Sequence, residues 1–369
     1  MKPLSLRTIC AATALACASA AYAQPAQVDI SSGEDWEHEW TAMEFPAVIG
    51  GFERGSITAF EERETNISAR YTDDKTRTIL SLYIYRPGNP STSIWFDRAL
   101  IAIGVTEDYG SVDLERVKIG RFVPSGGEAE SGLSAVLAVN GPMRSTGVAL
   151  YRSGEWLVKV RISSEELSVS QMDALLRTTL ADLPALDQVD GESAKFVGQC
   201  SDTLSYEDAQ LLSENLGAGA LAAALSAAAE QNIAREEAAG QDKSADREEL
   251  GLKNTSGLAY CREGERNQRF NLFRPLDGSD RYSLALGDAG FSVEVYPSIV
   301  MTELREEDDA TVYTVRTASG TNYSFHTPFL GRPSPPLAAQ SALQGPTISS
   351  VSRPLGDDDV AININSEFQ

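Results

Sequence analysis

The chain reads as α+β, with antiparallel sheets covered by helices. Three observations lead there. Short runs of alternating apolar and polar residues recur, enriched in β-branched and aromatic side chains. Their connections are short and glycine-rich, as hairpins require. Capped helical patterns follow groups of strands instead of alternating with single strands.

In chain order, Met1 to Arg7 is short and positive, and an alanine-rich apolar run follows to about Ala20. Ala21-Tyr22-Ala23 places small residues where a signal peptidase reads, so residues 1–23 read as a secretory signal peptide cut before Gln24. A rival reading is lipoprotein processing at Cys17, although Leu15 stands one place away from the usual lipobox position. Both readings take the mature chain out of the cytoplasm, to a periplasmic or secreted location.

Residues 24–32 form a loose lead-in. Trp36, Trp40 and Met43 then fall on one face of a short helix capped by Ser32 and stopped by Pro46. A strand also puts the two tryptophans on one side. Strands are expected at 56–63 and 66–71, and most clearly in TILSLYIYR, 78–86. Pro87-Gly88-Asn89-Pro90 breaks the pattern, and Ser91 or Thr92 caps a helix ending at Gly104. Strands at 116–123, 133–139, 146–151 and 155–162 form a meander. A helix follows from Ser168 to Leu183, with Ser168 and Gln171 as a capping box. These elements define a first α+β domain, 28–186.

The early paired strands, the YIYRPG strand end and the unit EWLVKVRISSEELSVSQMDALL resemble the PsbP/DcrB-like family of small secreted or lumenal modules. That resemblance covers less than half of the chain. It implies an accessory or structural envelope role and carries over no catalytic residue.

A second domain is expected over 190–330. It holds a long helix capped by Ser205 and running through Leu212, Leu216 and Leu221, then strands near 257–261, 269–274, 281–286, 291–296, 311–317 and 323–329. The uncharged part of the helix is too short and alanine-rich to span a bilayer, so no transmembrane helix is expected in the mature chain. Residues 331–369 carry Pro, Ser and an Asp run and read as a flexible tail. In it, 360–364 is a candidate edge strand for a partner.

The net charge of −22 disfavours nucleic acid and anionic lipid as partners. Of four cysteines, Cys10 and Cys17 leave with the leader. Cys200 and Cys261 are an even pair in an oxidising compartment and are expected to form a disulfide. Closing that loop is worth about 4 kcal/mol in the chain-entropy model.

The segment GEDWEHEW holds one of two histidines. Glu34 and His38 stand four apart, a two-ligand metal candidate, but Ala42 replaces the second histidine of HExxH. The segment reads first as an apolar anchor with a solvated acidic face. GxSxG is absent, Ser134 reads as a strand residue, and the GxGxxA match at 217–222 follows a helix, so it reads as helix packing. Glu306 to Asp309 does not fit a calcium loop. No cofactor is expected. The sequence therefore points to a non-catalytic envelope protein binding a small ligand or another envelope protein. The alternatives are a secreted hydrolase using carboxylates or a divalent ion, and a lipid-anchored envelope component.

Overall fold

The computed structural model describes residues 25–368, apart from 32, 62, 115–116, 207, 213–215, 239–240, 244, 246–256, 304–309 and 357. The leader, Cys17, Gln24, the Ser32 cap and the Glu306–Asp309 run lie outside the described residues. The fold is α+β, and its sheets are mostly antiparallel.

Four two-residue strands open the chain: β1 (Ala26–Gln27), β2 (Trp36–Glu37), β3 (Glu44–Phe45) and β4 (Val48–Ile49). The alternating runs then become β5 (Phe52–Ala59), β6 (Asn66–Asp73) and β7 (Thr78–Tyr85). Helix α1 (Thr92–Gly104) follows, with Ser91 as its N-cap. The meander is β8 (Ile119–Phe122), β9 (Gly132–Ala138), β10 (Ser145–Ser153) and β11 (Trp156–Ser164). Helix α2 (Val169–Asp182) begins with the expected reciprocal capping box of Ser168 and Gln171. Apart from β2 and β3, which pair only with each other, these strands form one antiparallel sheet, in the order β1-β5-β6-β7-β11-β10-β9-β8, with β4 also on β5.

Both faces of this sheet are covered. Met172, Leu176 and Leu180 of α2 pack on Leu80, Leu82, Val158 and Val160. On the opposite face Ile94, Trp95, Leu100 and Ile103 of α1 meet Leu133, Val148, Leu150 and Leu157. The α1 cluster also takes in Tyr260, Phe273 and Ala285 of a second sheet. The helix is thus packed from both sides, as a helix with apolar residues around most of its circumference must be.

That sheet comprises β12 (Gly198–Gln199), β13 (Gln210–Leu211), β14 (Tyr260–Glu263), β15 (Phe270–Pro275), β16 (Tyr282–Leu286), β17 (Phe291–Pro297), β18 (Val312–Ala318), β19 (Asn322–Leu330), β20 (Thr347–Ser352) and β21 (Ile362–Ile364). Its helices are α3 (Leu216–Ala238), α4 (Ile299–Glu303) and α5 (Pro335–Gln344). Ala338, Ala339 and Ala342 of α5 pack on Val293, Val315 and Phe329. Ala220, Ala224 and Ala227 of α3 pack with Phe325, Ile348 and Val351. Among the described residues, no helix is long and apolar enough to cross a membrane.

Three expectations need correction. The long helix starts at Leu216 and not at Ser205. Residues 210–211 instead pair with Phe329 and Leu330, where β20 no longer covers the edge of β19. Residues 331–369 are not a free tail. Pro335 and Pro336 occupy the first turn of α5, where a missing N–H costs nothing, and β20 joins the sheet through buried Ile348 and Val351. The 360–364 edge strand pairs within this chain, with β20. The second sheet therefore extends beyond residue 330.

Cys200 and Cys261 are joined, with Cα atoms 4.9 Å apart. The bond ties the end of edge strand β12 to β14, its parallel neighbour.

The two sheets meet through buried ionic groups. Arg98 of α1 donates to the carbonyls of Gly287, Asn267 and Gln268 at 2.6–2.9 Å. Asp97 pairs with Arg262 at 2.6 Å. Arg86 donates to the carbonyl of Arg353 at 3.1 Å, and Arg353 donates to that of Pro87 at 2.8 Å. Burial, then the neighbouring Arg353 charge, lower Arg86 to about 10. Gly88 lies in this junction, its N–H on the carbonyl of Gly290 at 2.7 Å. A Cβ there would stand 2.6 Å from Ala318 Cβ and Ser292 Oγ, and closer still to the Ala318 carbonyl oxygen. Gly88→Ala is therefore expected to destabilise the protein by about 1–3 kcal/mol in urea unfolding. Gly33→Ala, where nothing lies within 4 Å, should leave the midpoint unchanged.

Candidate ligand cavity between helix α3 and the second sheet

The tryptophan segment is a hairpin, not a helix. β2 pairs with β3, Trp36 opposite Phe45. His38 N–H donates to the Met43 carbonyl at 2.9 Å, and Ala42 takes a φ of 52° to close the turn. The apolar spacing that fits a helix is satisfied here by burying different residues in different places. Met43 and Phe45 enter the core, Trp36 packs on Phe45, and Trp40 donates to the Arg63 carbonyl at 3.0 Å.

His38 is fully buried, edge-on to Trp156 at 4.9 Å. Its Nε2 donates to the Glu64 carbonyl at 3.0 Å, which leaves Nδ1 to accept from Thr41 Oγ1 at 2.8 Å. Both ring nitrogens are engaged, and the carboxylate-bearing Glu34 is exposed. Glu34 and His38 therefore form no ligand pair. Among the described residues, no three His, Cys, Asp or Glu side chains group as metal ligands. Ser134 lies in β9. The GxGxxA stretch is the first turns of α3, where a Cβ on Gly219 would run into Met301. His326 is buried on β19, 3.3 Å from Thr317 Oγ1.

The convergence of polar groups lies elsewhere. A cavity of about 350 Å³ opens between α3 and the second sheet. Its helix wall is Ala222, Ala223, Ser226, Ala227 and Glu230, one face by 3.6-residue spacing. Its sheet wall includes Glu294 and Tyr296 of β17 and Thr314 and Arg316 of β18, which alternate with the residues facing α5. Asn89, from the junction segment, closes one side and donates to Ser283 Oγ at 3.3 Å.

Arg316 organises the electrostatics. Glu294 and Arg316 are direct cross-strand partners. Arg316 Nε lies 3.0 Å from Glu294 Oε2, and Nη1 lies 3.0 Å from Glu230 Oε2. The guanidinium stacks over Tyr323, 4.2 Å from the ring centroid. Burial alone would lower its pKa, but the Glu294 and Glu230 carboxylates outweigh that and keep it protonated. Burial pushes the Tyr260 and Tyr296 phenols up to about 12, so both line the cavity as neutral hydroxyls.

None of these residues stands out in the sequence. Glu294 and Arg316 each interrupt an apolar strand, which is a signal of a kind. It names the face they share but not the helix that covers it. Compared with family models, curated proteins and solved structures, the chain matches none.

The two histidines give a pH test. Burial lowers both to about 4, opposed in part by the Glu64 carbonyl at His38 and the Pro346 backbone at His326. An unfolded chain protonates near 6.5, so between about pH 6.5 and 4 only the unfolded state takes up these protons. Stability should fall across that window as pH drops, by up to about 3 kcal/mol per histidine. Urea unfolding at pH 7 and 4.5 is expected to show a smaller loss in the double variant His38→Gln/His326→Gln than in wild type.

Proposed function

We propose that this is a non-catalytic, extracytoplasmic binding or accessory protein that holds a small ligand in the α3 cavity. The single observation that carries the reading is the cavity itself. It has the size of small-molecule sites, mostly apolar walls, and a few converging polar groups at a junction of structural units. We read the two sheets as two units, with Asn89 of the first reaching the cavity of the second. The leader-like residues 1–23 and the Cys200–Cys261 disulfide support an oxidising, periplasmic or secreted location. The envelope role implied by the PsbP/DcrB-like resemblance agrees with it.

A hydrolase is the second reading, favoured by two carboxylates, Glu230 and Glu294, in one cavity. Against it, both carboxylates bind one guanidinium, and no histidine lines the cavity. Neither carboxylate is held apart from the other in a separate environment, as an acid and a base require.

A neutral naphthylamine probe, N-phenyl-1-naphthylamine, is expected to bind saturably with a fluorescence rise. Ser226 is exposed on the cavity wall, so Ser226→Trp should fill the mouth, abolish that signal and leave the melting temperature unchanged. Probe binding unaffected by Ser226→Trp would count against the cavity. Turnover of ester or glycoside substrates lost in Glu294→Gln would establish the hydrolase instead. Mass spectrometry of the mature envelope protein is expected to find Gln24 at the N-terminus; a lipidated Cys17 would make the protein lipid-anchored.

A further inference from the structure

We infer that the ligand of the α3 cavity carries a cationic nitrogen, seated between Glu230 and Glu294. This rests on the cavity being the binding site.

Negative charge exceeds positive at this site. Glu230, Glu294 and Arg316 form a connected trio with two carboxylates and one guanidinium. Their side chains are 23%, 13% and 10% exposed, so the surplus negative charge is held where solvent screens it weakly. Each carboxylate meets Arg316 through Oε2. Their Oε1 atoms make no bond to Arg316, in a wall that also holds three alanines, three tyrosines and four serines. A carboxylate accepts at both oxygens, and an ammonium or guanidinium group between two of them makes charge-assisted bonds.

The remaining walls favour the same ligand. Tyr260, Tyr282 and Tyr296 line the cavity with neutral aromatic rings, whose faces attract cations. Counting every charged lining group, Glu230, Asp280 and Glu294 against Arg281 and Arg316, the wall carries one net negative charge. Asp280 is engaged by Arg332 and Tyr313. Arg281 immediately precedes β16, one side-chain repeat before Ser283 on the face that carries Glu294. An anionic ligand at Arg316 would have to strip a carboxylate from it and then lie beside that carboxylate. The small residues of α3 leave room for an apolar or aromatic body behind the cationic group.

The test uses the full mature chain and competition against N-phenyl-1-naphthylamine. The competitors share one body: phenethylamine, phenethyl alcohol and 3-phenylpropionate. Phenethylamine is expected to displace the probe at about tenfold lower concentration than the alcohol, with the acid weakest. Glu294→Gln and, separately, the more exposed Glu230→Gln should remove the preference for the amine while the probe still binds. Glu230→Gln, at the helix surface, keeps the test open if the Glu294 variant fails to fold. Equal displacement by amine and alcohol, or preference for the acid, would overturn the inference and leave the cavity reading standing. Failure of the probe to bind wild type, with no calorimetric heat from phenethylamine, would overturn both.

Discussion

Helix α1 is buried along almost its whole length, and the architecture around it follows from that. A helix with an apolar covering on two sides needs two sheets, and the chain supplies both. Two of its residues are ionic, Asp97 and Arg98, each about 95% buried or more. Ions at such depth cost several kcal/mol each unless every group finds a partner. Arg98 finds three backbone carbonyls and the Asn271 side chain, and Asp97 finds Arg262. The loops before β15 and after β16 are therefore shaped by a side chain some 170 residues earlier in the sequence. Arg86, Glu155 and Arg353, with Lys159 and Asp288, extend the same kind of contact along the junction. The join is specified by geometry and not by apolar area alone.

The cavity follows from how the helices divide the sheet. Helix α1 packs against Tyr260, Phe273 and Ala285, on β14, β15 and β16. Helix α3 covers Phe325, Ile348 and Val351, on β19 and β20. Over the strip between them, on β17 and β18, helix α3 stands off from the sheet, and the cavity fills the gap. There the inward positions turn polar: Glu294, Tyr296, Thr314 and Arg316. On the opposite face of the same strands, Val293, Val295 and Val315 pack under α5 in the ordinary way. Composition and covering change together, strand by strand.

Local chemistry made much of this fold legible. The strand from Thr78, the Ser91 cap, the capping box at Ser168 and the hairpins of the second sheet are set by neighbours within a few residues. The misreadings have the opposite character. Trp36, Trp40 and Met43 have helical spacing, but Met43 is buried in the cluster that holds distant Trp156, Trp36 packs on Phe45, and Trp40 donates to the Arg63 carbonyl. Residues 205–212 have a helical pattern, but an open edge on β19 captures the backbone of residues 210–212. Prolines 335 and 336 signal disorder by composition, yet stand where a helix accepts them. Glu230, Glu294 and Arg316 come from three elements, and only the covering of the sheet brings them together. The disulfide was readable because it needed a count, whereas the cavity needed a map.

Stability gives no reason for that trio. A buried ion pair seldom stabilises a fold more than well-packed apolar residues of the same volume, and here a second carboxylate adds further unbalanced charge. The neighbouring face shows that this sheet accommodates valines readily. A ligand supplying positive charge would offset the carboxylates, and binding to the folded state alone would raise stability by mass action. Asn89 makes that effect reach further than the second sheet. It lines the cavity, bonds Ser283, accepts from the Ser91 N–H at the entry to α1, and follows Gly88 in the tightest part of the junction. A filled cavity would thus buttress the segment from which α1 starts, and through α1 the packing of both sheets.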